Sequence, residues 1–282
     1  MAVHLKEHLA DKFEAWELKI LPGSYDIVGD IAIVRIPEAL RHRASEIAEA
    51  IIQINSHVRT VLNRISPVSG DFRLRRLEWI YGEKKTETIH REHGCLFKVD
   101  LEKCYFSPRL LFERSRIAEQ VKPSETVINM FAGVGCFSII IAKKSDVRRV
   151  YSIDINPWAI RYAEENVRLN RVEHIVKPIL GDAKIVIEDK LKGLADRVLM
   201  PLPEKAYEYI GYAIIALKSE GGVIHYYDFV HAGRGEDPIQ KVEERICRKL
   251  RLFKIDSEIC FGRVVRTVGP RWFQIALDIK ID

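Results

Sequence analysis

The sequence predicts an α/β protein dominated by a doubly wound, mostly parallel sheet. Three observations carry that prediction. From about residue 121 onward, short apolar runs alternate with longer amphipathic segments, the pattern of repeated strand–helix units. The first of those runs ends in a glycine-containing turn that opens a helix. The last run, residues 272–281, is placed to pair with residues 252–259 as a terminal antiparallel hairpin.

Residues 1–24 read as an N-terminal extension and residues 25–120 as a small α/β domain. Within the latter, 27–34 is a strand pair or a bulged strand, and 39–54 has helical periodicity. Short β-rich runs follow near 58–62, 73–81 and 95–99, then a helix over 110–120. Val121-Lys122-Pro123-Ser124-Glu125 breaks that helix and marks the junction to the larger domain, 121–282. There, 126–130 is short and apolar, as a buried parallel strand should be. Residues 150–153 form the second strand, and Pro157 sits where a first-turn proline belongs, in a helix running to about Asn170. Residues 176–180, 197–200 and 223–227 are the next strands, with helices near 204–217 and 237–250.

Composition narrows the class. No apolar run in the 282 residues approaches the roughly 20 that a membrane span needs. The start, Met1 to His8, lacks the apolar core of a signal peptide, so a cytoplasmic location is expected. Five cysteines without C-x-x-C spacing argue against a zinc site and against a disulfide framework. Net charge is +5, and the excess is concentrated. Residues 59–91 carry eight Lys/Arg against four acids, and residues 245–280 carry nine against three. Such stretches suit a phosphate backbone or simply a solvated surface.

The turn after the first strand reads Met130-Phe131-Ala132-Gly133-Val134-Gly135-Cys136-Phe137-Ser138. Gly133 and Gly135 let backbone N–H groups and a helix start approach a ligand, because no Cβ intervenes. Asp154 closes the second strand nineteen residues after Gly135, where a carboxylate can bind both hydroxyls of a ribose. That pattern serves NAD or S-adenosylmethionine. Two features favour the second. Ser138 stands where the dinucleotide fingerprint has a third Gly or Ala. Gly181-Asp182-Ala183 follows the third strand, where an acid can hold an adenine amino group, although the same aspartate could cap a helix.

Residues 129–137 together with Ser152-Ile153-Asp154-Ile155-Asn156-Pro157 resemble the class I methyltransferases that make N1-methylguanosine at tRNA position 37. Asn166-Val167-Arg168-Leu169-Asn170, Asp196-Arg197-Val198-Leu199-Met200 and Gly222-Val223-Ile224-His225-Tyr226-Tyr227 extend the match. In the small domain, Asp26-Ile27-Val28-Gly29-Asp30 is similar to archaeal members. The resemblance implies a Rossmann-like class I fold with a seven-stranded sheet, preceded by a small RNA-binding domain. It also implies S-adenosylmethionine as cofactor and tRNA as partner, with no membrane or metal and a monomer favoured. Phe131, Gly133, Gly135, Asp154, Ile155, Asn156, Asp182 and Met200 become the expected cofactor contacts.

Methylating N1 of guanine requires a base for its proton and a cation or donor at O6, where negative charge gathers. The resemblance implies Glu113 as the base and Arg73 as the O6 partner, with Tyr105, Arg109 and Pro201 shaping the substrate pocket. Read on its own, Glu113 is a solvated charge on the first turn of a helix. Arg73 and Arg75, on one face of a strand with Leu74 on the other, read on their own as phosphate ligands.

Two departures stand out. Pro201-Leu202-Pro203 replaces the family's usual Asn-Leu-Pro, so a backbone carbonyl of Met200 or Pro201 takes the asparagine's place, or Arg73 and Glu113 hold the base. The residues before Tyr25 are also too few for the tRNA-elbow domain of many members. The nearest rival is aminocarboxypropyl transfer from the same cofactor to a wyosine intermediate. A branch that methylates carbon 7 of such an intermediate is a further one. An NAD-dependent oxidoreductase and an RNA-binding protein with a relic pocket are the readings from other classes, separable by titration with each cofactor.

Overall fold

A computed structural model describes residues 2–282, which divide into two compact units, one ending at Arg109 and the other spanning Leu110–Asp282. Met1, the first residue of the segment read as no signal peptide, lies outside the described residues. Among the described residues, no helix is long and apolar enough to cross a membrane.

The first unit runs α1 (Ala2–Leu9), α2 (Ala15–Ile20), β1 (Asp26–Val28), β2 (Ile31–Val34), α3 (Ala44–Ile54), β3 (Thr60–Arg64), β4 (Leu77–Gly82), β5 (Glu87–Glu92) and β6 (Cys95–Asp100). β1 to β4 form one sheet in chain order, with β2 and β3 parallel across the α3 crossover, while β5 and β6 pair separately as a hairpin. The residues read as an extension help to build this unit's core. Leu5, Leu9, Phe13 and Leu21 are buried in one cluster with Ile47 and Ile51 of α3.

Gly29 holds the β1–β2 turn against β5. Its φ is +57°, and a Cβ there would fall 2.1 Å from Thr88 Oγ1 and 2.6 Å from the Ile89 carbonyl oxygen. Asp30, next to it, accepts from Thr88 Oγ1 at 2.7 Å and from Lys85 Nζ at 2.7 Å.

Two local readings are corrected here. Residues 38–43 form a 3-10 helix after Pro37, and the α-helix begins only at Ala44. Arg73 is not on a strand. It ends a tight turn in which its N–H donates to the Gly70 carbonyl at 3.0 Å, with φ of +54°. The Gly70-Asp71 pair favours that turn over continued alternation, and β4 starts four residues later.

The second unit runs α4 (Leu111–Gln120), β7 (Thr126–Asn129), α5 (Cys136–Lys144), β8 (Arg149–Asp154), α6 (Pro157–Leu169), β9 (Val176–Leu180), α7 (Ala183–Val186) and β10 (Arg197–Met200). It continues through α8 (Pro203–Ala216), β11 (Gly222–His231), α9 (Pro238–Leu252), β12 (Ser257–Gly269) and β13 (Trp272–Ile281). α4, grouped by sequence with the small domain, is thus counted in this unit. The seven strands are ordered β12-β13-β11-β10-β7-β8-β9. The five from β7 to β11 are parallel, and β13 runs antiparallel between β11 and β12. The sheet grows outward from β7 through β8 to β9, then resumes on the other side of β7 with β10. Ligands of such sheets bind where the order reverses, at the carboxyl ends of the strands.

Candidate active site

The glycine turn, Asp154 and Asp182 meet at the carboxyl ends of β7, β8 and β9. β7 lies inside the sheet between β10 and β8 and is buried beyond Thr126. Its last residue, Asn129, donates through Nδ2 to Ser138 Oγ at 3.2 Å. Ser138, the departure from the dinucleotide fingerprint, is thus a fully buried hydrogen-bond partner on α5. In the turn itself, Gly133 has φ of +55° and Gly135, the N-cap of α5, has φ of +91°. No side chain caps α5, so backbone alone faces a ligand at that helix start.

Asp154 ends β8. Its Oδ2 accepts from Gly133 N at 2.7 Å and its Oδ1 from Asn156 N at 2.9 Å. A carboxylate has about four acceptor positions and three backbone N–H groups bond to this one, so capacity remains for a ribose hydroxyl. Burial raises its pKa above the ordinary value, against the pull of the backbone N–H groups. Ile155 beside it is 46% exposed, an apolar surface of the kind an adenine ring covers. Asn156, expected as a cofactor contact, caps α6, its Oδ1 accepting from Trp158 N at 3.0 Å.

Asp182 fills the capping role weighed for it and has a further partner in Tyr209. It caps α7 through Lys184 N at 3.0 Å, and it accepts from Tyr209 Oη at 3.0 and 3.2 Å. The Tyr209 ring meets Phe131 edge-on, 5.3 Å between centroids. Burial, then Asp182, raises the pKa of the Tyr209 hydroxyl. Met200 is fully buried in the core at the end of β10, and Pro201 is half-buried just before α8. The donor set fits S-adenosylmethionine: Asp154 for the ribose, the glycine turn for close backbone approach, and Ile155 for an apolar ring.

Glu113 is only 1% exposed, which removes the solvated-charge reading. Tyr227 Oη donates to its Oε2 at 2.8 Å, and Arg116 reaches the same oxygen from Nε at 3.1 Å and Nη2 at 3.0 Å. Arg263 Nη1 lies 3.2 Å from the other oxygen, Oε1. Arg116 also contacts Asp278 at 2.5 Å, which is bonded to His225, which is bonded to Arg197, which pairs with Glu125 at 2.9 Å. Three carboxylates and three guanidiniums thus alternate through one network, with His225 buried inside it and Arg263 at its exposed end. The Phe137 ring, on the first turn of α5, lies between Tyr227 at 6.4 Å and the Arg114 guanidinium at 5.8 Å. Glu113 is thereby linked to the helix that follows the glycine turn through two aromatic rings, Tyr227 and Phe137.

Arg73, Tyr105 and Arg109 belong to the first unit. The Arg73 guanidinium stacks 4.2 Å over the Tyr105 ring, bringing two expected site residues together. Arg109 Nε pairs with Asp26 Oδ1 at 2.7 Å. Elsewhere in that unit Arg35, Arg64 and Arg75 line a cleft of about 320 Å³. Burial and the neighbouring arginines lower the pKa of Arg64.

Sequence reasoning missed Tyr209, Tyr227, Arg116 and Asp278. Tyr227 lies inside a stretch that carried the resemblance, but nothing in its spacing marks it as the partner of Glu113.

The TRM5/TYW2 methyltransferase domain matches residues 88–255, and the TYW2 N-terminal domain matches residues 5–86. Trm5b of Pyrococcus abyssi, a tRNA (guanine(37)-N(1))-methyltransferase, is 44% identical over 94% of this chain and 76% of its own length. Its crystal structure superposes with a TM-score of 0.85 over 96% of this chain and 78% of that one. Taw21 of Saccharolobus solfataricus, a tRNA 4-demethylwyosine(37)-methyltransferase, is 37% identical over 99% of both chains. The Methanocaldococcus jannaschii TYW2 structure in complex with AdoMet is 30% identical, with a TM-score of 0.67 over 92% of this chain and 99% of that one. This chain belongs to the TRM5/TYW2 family of class I methyltransferases.

Proposed function

We propose that this protein transfers a methyl group from S-adenosylmethionine to N1 of guanosine 37 in tRNA. The observation that carries the proposal is the buried Glu113 carboxylate, linked through Tyr227 and Phe137 to the helix that follows a turn suited to that cofactor. The 44% identity to a relative named for this reaction supports it. The cofactor supplies an electrophilic methyl group, so the chain's own work lies in binding, orientation and proton removal. Glu113 takes the N1 proton, and Arg73, stacked on Tyr105, stabilises the charge left at O6. The cleft of Arg35, Arg64 and Arg75 receives tRNA phosphates.

A second reading has its own support. Taw21 aligns over 99% of both chains, and this chain carries Pro201 where the first reading leads one to look for asparagine. It would methylate carbon 7 of 4-demethylwyosine, with Glu113 taking the proton that carbon gives up. Aminocarboxypropyl transfer has less support, since the relatives named for methyl transfer share 44% and 37% identity.

Incubation with S-adenosylmethionine and unmodified tRNA, or tRNA carrying 4-demethylwyosine, followed by nucleoside mass analysis, separates the three. One methyl on guanosine supports the first reading, and one methyl only on the tricyclic base supports the second. An aminocarboxypropyl gain overturns both.

A further inference from the structure

The two oxygens of Glu113 have unlike surroundings. Oε2 is saturated, by Tyr227 Oη at 2.8 Å and by two nitrogens of Arg116 at 3.1 and 3.0 Å. Oε1 is buried and accepts no hydrogen bond, although Arg263 Nη1 stands 3.2 Å away.

The groups holding the two oxygens also differ in freedom. Tyr227 is 1% exposed on a central strand. Arg116 is clamped by Asp278, whose Oδ2 also accepts from Gln120 Nε2 at 3.0 Å and whose Oδ1 is held by His225 at 2.6 Å. Arg263 is 31% exposed at its side chain, and its other contact is a stack 4.2 Å over Phe112, itself 58% exposed. The clamp on Oε2 is therefore fixed, whereas the guanidinium over Oε1 is able to move aside. Of the other nearby charges, Arg114 lies 5.8 Å from the Phe137 ring centroid, and Lys144 of α5 donates to Ser115.

We infer that Glu113 divides its oxygens between anchoring and chemistry, with Tyr227 and Arg116 as positioning residues on Oε2 and Oε1 as the proton acceptor. The inference rests on Glu113 being the base, as proposed above. In the step, the substrate's N1–H bond breaks, an H–Oε1 bond forms, and the electron pair stays on N1 for methylation. An acceptor with no hydrogen bond of its own loses none when the proton arrives, so Oε1 is the better base. Anchoring Oε2 from two sides fixes the direction of the Oε1 lone pairs.

The test is a double-mutant cycle in single-turnover methyl transfer with purified full-length protein and unmodified tRNA. Tyr227→Phe is expected to slow the step by roughly tenfold, with cofactor and tRNA affinities within about twofold of wild type. It should add nothing in the Glu113→Gln background, because Tyr227 acts only through that carboxylate. Losing a hydrogen bond to the ionised carboxylate also moves the acid limb of the rate profile to higher pH. Arg116→Lys, which cannot span Glu113 and Asp278 together, should repeat the non-additivity. Equal costs of Tyr227→Phe in both backgrounds, with an unmoved pH profile, would overturn the inference and make Tyr227 merely structural. A Glu113→Gln variant at wild-type rate would instead remove the base assignment itself.

Discussion

Nη1 of Arg197 lies 2.8 Å from Nε2 of His225, and a guanidinium has only donors to offer. Nε2 is therefore the acceptor, and the ring proton sits on Nδ1, which donates to Asp278 Oδ1 at 2.6 Å. His225 is neutral in the fold. Burial above all lowers its pKa, Arg197 and Arg116 add to the effect, and Asp278 opposes it. The pKa of Asp278 is itself low, since its bonds to His225 and Arg116 outweigh burial.

A pH dependence of stability follows. The unfolded His225 titrates near its ordinary value of about 6.5, above its folded value, so the unfolded chain binds more protons in that window. Its stability contribution is full above about pH 6.5 and is lost as pH falls toward the folded value. Urea unfolding between pH 8 and pH 5 should show this loss (both limits roughly bracketing the unfolded titration). His225→Gln keeps a donor and an acceptor but does not titrate, and should flatten the dependence. An equal slope in the variant would assign the loss to other groups.

Asp154→Ala should weaken S-adenosylmethionine binding. The lost acceptor is charged and partly satisfied by backbone, so the cost is about 1.5–3 kcal/mol. Isothermal titration calorimetry reads it directly, and an unchanged affinity would take Asp154 out of the cofactor site.

Glu113→Gln should slow single-turnover chemistry by roughly 10²–10⁴-fold with near-normal cofactor affinity. Arg73→Ala should cost roughly 10²–10³-fold through lost stabilisation at O6. Because both act on one developing anion, the double variant should fall short of the product of the two. Independent, multiplying effects would separate Arg73 from the chemistry and return it to phosphate binding.

The arginine cleft should report itself in salt. Replacing Arg35 and Arg64 together should weaken all substrate tRNAs alike and reduce the slope of log affinity against log salt by about 0.7–0.9 per lost phosphate contact. Arg263 and Arg266 are poorer candidates than their place in a basic stretch suggests. The first is ion-paired with Glu113, and the second donates to Gln274 at 2.8 Å. Arg263→Met should therefore change the chemical step and leave the salt slope intact, and a flattened slope would put a phosphate on Arg263.

The large sheet was legible because its inner strands, such as β7 and β10, are buried on both faces and read as apolar runs. Residues 176–180 and 197–200 are strands at the boundaries read from sequence. β5 was not legible, because its pattern is inverted: Thr88 and Glu92 point inward while Ile89 is 52% exposed. Hydrophobic alternation cannot reveal a strand whose buried face is polar. The cofactor turn was legible because its constraint is local, glycine at positive φ. The surroundings of Glu113 were not, since Tyr227 and Asp278 reach it from strands far along the chain. Asn156 and Asp182 carried an ambiguity that sequence could not resolve, for capping and ligand binding ask for the same side chains.

Arg116 and its partner Asp278 are separated by 162 positions, whereas Gly133 and Asp154 are separated by 21. The cofactor turn therefore assembles from neighbours, early in folding and early on the ribosome, while the clamp on Glu113 waits for the last strand to insert. Until then α4 carries Arg116 without its partner Asp278. The order of assembly thus withholds a correctly aimed base from any chain that has not yet completed its sheet.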